Sequence, residues 1–204
     1  GALADAGLTP ADLTDETMLV CKGYASKVGG GLLMTMFTED EYKTIGKFIY
    51  DNNGETGVTT GRRRNLGWMD LVAIKASIQR NGSRKLAINC MDTIGLIPGG
   101  EAKLCVAYKH KVTGETTTYW PDMQSEYEPV YVSIPTGWNI KHVNFESLIP
   151  DEAWRFLAYV EYYTGAEVMF IGTGGSNADV VRVSGYGRSL IDEWKKTDFG
   201  EASE

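Results

Sequence analysis

The side chains that most often carry catalysis or hold metals are scarce. The 204 residues contain two histidines, His110 and His142, and three cysteines, Cys21, Cys90 and Cys105. Neither histidine has a ligand-like neighbour at metal spacing and no C-x-x-C occurs, which argues against a zinc enzyme or a Ser-His-Asp hydrolase carried by this chain alone. The cysteines are odd in number, widely spaced and set in apolar runs, so they read as reduced core thiols of a cytoplasmic protein. No apolar run approaches the ~20 residues of a membrane span, and no signal-peptide pattern opens the chain. Positive charge is in deficit: a net charge of −7 argues against a general nucleic-acid binder and makes nucleic-acid binding by Arg62–Arg64 a poor reading. There is no G-x-x-x-x-G-K-[ST] phosphate loop, nor any visible magnesium site or general base. If the protein handles a triphosphate, another segment must supply those parts. An initiator methionine is also missing from Gly1-Ala2-Leu3, which suggests a processed piece or part of a longer protein.

What is present is ordinary in bulk, with 43% apolar and 23% charged residues, enough for one domain or one and a half with a sizeable core. Against that background the stretch from Glu55 to Asp70 stands out. Thr59, Thr60 and Gly61 precede three consecutive arginines, Arg62, Arg63 and Arg64, which lead into an expected helix beginning near Trp68. A helix N-terminus already favours anions, by ~0.3–1 kcal/mol per charge, so three cations there are a local cost unless something negative sits among them. Backbone N–H groups, hydroxyls and guanidinium forks together suit carboxylate or phosphate oxygens. The competing reading is a solvated basic turn.

Along the chain, Thr9-Pro10 starts a short helix to about Glu16, and Met18 to Val28 reads as one strand, broken by Gly29-Gly30-Gly31. That triple glycine is either a flexible turn or a close approach to a ligand. Thr38 and Glu41 form a capping box for a helix to about Asp51, ended by Asn52-Asn53-Gly54. Met69 to Asn81 reads as a helix with Leu71, Ile74 and Ile78 on one face and Gly82 after it. Lys85 to Met91 is a short buried strand ending on Asp92. A hairpin is expected around Thr113-Gly114, between Ala102–His110 and Thr116–Tyr119, then a long connection from Pro121 to Trp138 containing a strand at 130–134. Pro150-Asp151 opens a helix with Trp154, Leu157 and Ala158 inward, closed by Gly165. A strand at 167–171, a loop at 172–176 and a strand at 179–183 follow. Residues 187–204 read as an acidic, partly ordered tail. The alternation of helices with short buried strands predicts an α/β fold: a mixed layered sheet with flanking helices and an antiparallel excursion near 102–134. No repeat or low-complexity segment is visible.

Two further features carry chemistry. Asp92 ends a buried strand, where ligands collect in open α/β sheets, and its carboxylate can accept two N–H donors of the kind guanine offers. A cap for Thr93-Ile94-Gly95 explains it as well. Gly172-Thr173-Gly174-Gly175 also follows a buried strand, and either packs backbone against a base or phosphate or forms a tight hairpin.

Taken together, Gly57-Val-Thr-Thr-Gly-Arg-Arg-Arg64 followed by Gly67-Trp-Met-Asp-Leu-Val-Ala-Ile74 closely resembles the signature of the adenylosuccinate synthetase family. Lys22-Gly-Tyr-Ala-Ser-Lys-Val-Gly29, Leu104-Cys-Val-Ala-Tyr108, and Glu128-Pro-Val-Tyr131 through Gly137-Trp138 also match, and Thr173-Gly174 falls where the family has a base-binding loop. The likeness covers about residues 17–183 and is to the family's C-terminal half. It implies the C-terminal portion, residues 1–186, of one P-loop-NTPase-like domain. The phosphate loop, the catalytic aspartate and histidine and most of the purine-monophosphate pocket would lie in an N-terminal half outside the chain.

The resemblance implies a C–N ligase of purine biosynthesis: GTP phosphorylates O6 of inosinate and the amine of L-aspartate displaces that phosphate. It makes Val58, Thr59, Thr60, Gly61, Arg62, Arg63 and Arg64 the aspartate loop, with Thr59 and Thr60 holding carboxylates. Arg62 would reach both aspartate and the purine monophosphate, and Arg64 the triphosphate. Asp92 would read the donor's base, lined by Gly172, Thr173 and Gly174. It also implies Mg2+ with ligands outside the chain, small-molecule substrates and a homodimer, and neither nucleic acid nor membrane as partner. No catalytic residue and no metal ligand is assigned within this chain. Three departures matter. Cys90 stands where the family has a lysine two residues before the base-reading aspartate. The turn after Val28 lacks the family's proline-containing segment. Ala25 and Ser26 replace its paired hydroxyl residues. The lost lysine weakens the case for guanine and leaves open an adenine triphosphate, as in a viral branch that ligates aspartate to deoxyguanylate. The missing phosphate loop motivates a further alternative, a non-catalytic binding or dimerisation module of the same fold.

Overall fold

The structure is a computed structural model that describes residues 17–200 except Val58 and Thr60; the helix expected from Thr9 to Glu16 lies outside the described residues. In chain order the strands are β1 (Met18–Lys22), β2 (Tyr24–Lys27), β3 (Asn65–Asp70), β4 (Lys85–Asn89), β5 (Glu101–His110), β6 (Thr116–Thr117), β7 (Tyr127–Pro135), β8 (Glu167–Gly172) and β9 (Val180–Arg182). The helices are α1 (Glu39–Glu41), which runs through a π-helical turn (Tyr42–Gly46) into α2 (Lys47–Asn53), then α3 (Leu71–Asn81), α4 (Met91–Gly95), α5 (Asp151–Thr164) and α6 (Gly185–Phe199).

Two sheets result. The first has the order β1-β4-β8-β9, with β1, β4 and β8 parallel and β9 antiparallel at the end. The second joins β2, β3, β5 and β6 in that order, with β7 paired antiparallel along β5. The α/β architecture matches expectation, including the antiparallel excursion and the hairpin, whose turn carries Gly114 at φ 74°.

The single strand expected from Met18 to Val28 is two strands, one in each sheet. Gly23 sits at the crossover, where a Cβ would lie 2.7 Å from Ile94 Cγ1, so only glycine lets β1 turn into β2 over α4. Alternating polarity carries no mark of such a switch, because both halves have strand-like composition.

The helix expected from Met69 begins later, and the arginines precede a strand. Leu66, Gly67, Trp68 and Met69 are buried in β3 between β2 and β5, and Asp70 caps α3 by accepting the Ala73 N–H at 3.0 Å. A run buried on both faces has no alternation, so it merged with the following helical pattern. Gly67 belongs to this packing: a Cβ there would lie 2.4 Å from the Thr35 carbonyl oxygen. Gly67→Ala is expected to cost ~1–3 kcal/mol through overpacking, read as a lower urea midpoint with an unchanged slope.

The core of the first sheet is Leu86, Ile88, Val168 and Ile171, covered by the apolar face of α5 with Trp154, Phe156, Leu157 and Val160, all within 1% of complete burial. The stretch expected as a polar tail is instead largely α6. Ile191 is fully buried and Phe199 stacks on Tyr162 with centroids 3.7 Å apart. Arg155 Nε donates to Asp198 at 2.7 Å, and Lys195 pairs with the buried Glu161 at 3.0 Å. These partners sit on α5, some thirty to forty residues away (|i−j| 34 and 43), so local polarity alone reads as a solvated tail. Among the described residues, no helix is long and apolar enough to cross a membrane.

Because β4 and β8 are parallel and adjacent, pairing Ile88 with Ile171, their C-terminal ends deliver Cys90-Met91-Asp92 and Thr173-Gly174 to the same edge. That edge is where open α/β sheets collect ligands.

Candidate functional site

The arginine stretch closes a hairpin. Thr56 bridges Arg63, the Gly57 N–H donates to the Arg62 carbonyl at 2.8 Å, and the Gly61 N–H donates to the Gly57 carbonyl at 2.8 Å. Gly61 has φ 62°, a conformation glycine adopts at no steric cost. Thr59, Gly61, Arg62 and Arg63 are exposed at the tip; Val58 and Thr60 lie outside the described residues. With β3 following, no helix dipole faces the arginines, and their mutual repulsion is relieved in other ways. Arg63 stacks over the Tyr50 ring at 4.8 Å, while Arg64 turns inward and pairs with Glu55 at 3.1 Å. Arg64 therefore anchors the hairpin, and Tyr50 donates to its carbonyl at 2.5 Å.

Glu55 is the centre of a buried polar cluster. Its side chain is 2% exposed, and it accepts from Lys22 Nζ, from Tyr24 OH at 2.5 Å and from Arg64. Burial pushes the Glu55 carboxyl upward, but hydrogen bonds from Lys22 and Tyr24 and the charges of Lys22 and Arg64 outweigh that, so it lies below the ordinary carboxylate range. Tyr24 OH in turn accepts from Asn53 Nδ2 at 2.8 Å, and Asn53 Oδ1 accepts from Thr93 Oγ1 at 2.9 Å.

A cavity of about 440 Å³ opens onto this cluster, lined by Lys22, Tyr24 and Glu55 together with Asn53 of α2, Asp92 and Thr93 of α4, and Lys141, Gly174 and Gly175. Burial raises the Asp92 carboxyl above its ordinary value, against backbone N–H groups of Thr93 and Asp92 and the charges of Lys141 and His142. Cys90 holds the left-handed conformation at φ 61° between β4 and α4, and burial raises its thiol, so it brings no charge to the cavity at neutral pH.

The glycine-rich loop divides by role. Gly174 and Gly175 line the cavity. Gly172 ends β8, where a Cβ would lie 2.6 Å from Asn89 Oδ1, and Thr173 is fully buried with its hydroxyl donating to the Val143 carbonyl at 2.6 Å. These two fasten the loop and do not themselves line the cavity. Asp179 holds it from the far side, accepting from the Ser176 N–H at 2.8 Å and contacting His142 Nδ1 at 3.0 Å.

Sequence reasoning missed Glu55, Lys22, Tyr24, Asn53, Lys141, His142 and Asp179. A lone glutamate two residues before a Thr-containing hairpin carries no pattern, although an acid beside three arginines is a hint that local charge is compensated. His142 and Asp179 lie 37 positions apart and meet only because their loops flank β8.

A sequence model of the adenylosuccinate synthetase family matches residues 1–181. The chain belongs to the adenylosuccinate synthetase family. It is 37% identical over 189 residues to the synthetase of Acetivibrio thermocellus, covering 90% of this chain and 42% of that protein. It is 36% identical over 174 residues to that of Aquifex aeolicus, covering 82% and 38%. Among solved structures, a fully ligated adenylosuccinate synthetase from Plasmodium falciparum superposes with a TM-score of 0.77 at 25% identity, covering 89% of this chain and 43% of that one. The chain spans about two-fifths of the length of the curated relatives it matches.

Proposed function

We propose that this chain is the aspartate- and base-binding portion of a ligase that joins L-aspartate to C6 of a purine monophosphate, converting IMP to adenylosuccinate with hydrolysis of GTP. The observation that carries this reading is the meeting of two anchored segments around one polar cluster: the arginine hairpin fastened by Glu55, and the Asp92 cavity on its other side. Exposed Thr59 and Arg62 at the hairpin tip suit a dicarboxylate, and Asp92 in the cavity that Gly174 also lines suits a planar base with paired N–H donors. Such chemistry is mostly positioning and charge neutralisation. Among the described residues no cluster of three or more His, Cys, Asp or Glu is arranged to hold a metal. The Mg2+ of this reading rests on family membership, with ligands outside this chain, and no step is derived through it. The homodimer of this reading rests on family membership; the cytoplasmic setting rests on that and on the three free cysteines.

The test is turnover of IMP or deoxyguanylate by the full-length protein with aspartate and each triphosphate. Product from IMP with GTP supports the reading, and no product from any combination removes it. Cys90 favours a second donor: a neutral thiol beside Asp92 in place of a cation lowers the demand for guanine and admits an adenine triphosphate, with deoxyguanylate as acceptor. In either case Asp92→Asn is expected to raise the GTP KM about 10–100-fold, the value of a hydrogen bond to a charged group, with a smaller effect on an adenine donor. Because burial raises the Asp92 carboxyl, the GTP KM of the unmodified protein is also expected to climb as pH falls through that raised value, earlier than for an ordinary carboxylate.

A further inference from the structure

Two binding segments that are far apart in sequence are joined by an unbroken line of hydrogen bonds. Thr93 Oγ1 donates to Asn53 Oδ1 at 2.9 Å, Asn53 Nδ2 donates to Tyr24 OH at 2.8 Å, and Tyr24 OH donates to Glu55 Oε1 at 2.5 Å. Glu55 Oε2 then accepts from Arg64, the last arginine of the hairpin. The three bonds from Thr93 to Glu55 donate in the same direction, toward a carboxylate that Lys22 and Arg64 keep ionised. Aligned donors polarise one another, so a change at one end alters the strength of all. At the other end Thr93 adjoins the base-reading group: Asp92 and Thr93 are consecutive residues of α4 and both line the cavity. Thr93 and Tyr24 are 4% and 2% exposed, and the half-buried Asn53 between them lines the cavity. Asn53 can satisfy both neighbours only with its amide in one orientation, because Tyr24 OH has already given its proton to Glu55.

We propose that Tyr24, Asn53 and Thr93 are positioning residues that couple occupancy of the Asp92 cavity by a nucleoside triphosphate to the conformation of the arginine hairpin that takes the dicarboxylate. The proposal rests on the binding roles assigned above to those two segments. Base N–H donors that bind Asp92 draw its carboxylate toward the base, and the adjoining turn of α4 with it. The adjacent hydroxyl shifts with it, and the Asn53–Tyr24–Glu55 line re-sets the Arg64 anchor. Donor and dicarboxylate binding thereby become linked, and by thermodynamic necessity the linkage is reciprocal.

The test uses the full-length protein and two conservative variants, Thr93→Val, which keeps shape but removes the hydroxyl, and Thr93→Ser, which restores it. Hydrogen exchange of the 55–64 segment is followed with and without saturating GTP or ATP, and aspartate KM is measured across triphosphate concentrations. The expected result is triphosphate-dependent protection of 55–64 in the unmodified protein and in Thr93→Ser, lost in Thr93→Val. The effect of triphosphate on aspartate KM should fall at least about fivefold in Thr93→Val, the lower end of typical coupling. Tyr24→Phe combined with Thr93→Val should be no worse than either alone, since both cut one line. Equal protection in Thr93→Val and the unmodified protein overturns the proposal, as does a triphosphate that leaves the segment's exchange unchanged. The function reading fails separately, when no ligated product forms although protection depends on triphosphate and on the Thr93 hydroxyl.

Discussion

Replacing Arg62 with leucine is expected to raise the aspartate KM of the full-length enzyme about 10–100-fold while the protein stays folded. Arg62 lies exposed at the tip of the hairpin, after Gly61 and before the strand that anchors it. Its carbonyl, which the substitution leaves intact, accepts the Gly57 N–H that closes the turn. Hydrogen bonds between a guanidinium and a carboxylate contribute about 1.5–3 kcal/mol, hence the expected range in KM. Surface substitutions that leave backbone and core alone change stability by about 0.5 kcal/mol or less, so the thermal midpoint should barely move. Arg62→Lys should recover only part of the loss, because an ammonium is a point charge where the fork offers two parallel donors. An unchanged KM in Arg62→Leu would count against the assigned role of the hairpin.

The second large effect is on stability. Glu55→Leu is expected to destabilise the protein by about 3 kcal/mol, the low end for breaking a buried ion pair. The low end applies because Lys22 and Arg64 are each 32% exposed and keep part of their hydration, whereas Glu55 at 2% keeps almost none. Glu55→Gln retains the shape and an acceptor for Tyr24 but not the charge, and should lie between. The pH dependence follows from the depressed Glu55 carboxyl. A carboxyl held below its unfolded value of about 4.3 contributes stability that is fully present above that value and is lost as pH falls through the depressed one. The difference in urea midpoint between the unmodified protein and Glu55→Gln should therefore be large at neutral pH and shrink in acid. A difference that stays constant from neutral pH to strongly acid conditions would show that the cluster's charge is not what stabilises it.

Much of the fold was legible because its signals are local. The Thr38–Glu41 capping box is present, with Thr38 N–H donating to Glu41 at 2.9 Å, and Gly54, Gly82 and Gly165 follow their helices in the left-handed conformation. The hidden parts are those where a residue's partner is distant in sequence. Met18–Val28 reads as one strand because nothing within ten residues reveals that Ile94 blocks any side chain at Gly23. The terminal helix reads as a tail because its charges meet Glu161 and Arg155 on another helix. Of the candidate site, Asp92 and Gly174 line a common cavity, while Arg64 and Thr173 turn inward as anchors. Residue type alone does not separate an arginine that faces a ligand from one that faces a buried glutamate.

By itself, the sequence determined the family, the α/β class and the absence of a phosphate loop from these 204 residues, and it marked the three consecutive arginines without showing that they close a hairpin. All of these depend on which groups the chain possesses and in what local order. Only the tertiary structure decided which of those groups remain available and which hold one another. A buried carboxylate is tolerable only when cations and hydroxyls from separate segments converge on it, and that convergence is set by packing. Lys22, Tyr24 and Arg64 meet around Glu55, and Asn53 and Thr93 extend that meeting to Asp92, because β1, which ends on Lys22, runs parallel to β4, which leads into the short helix α4.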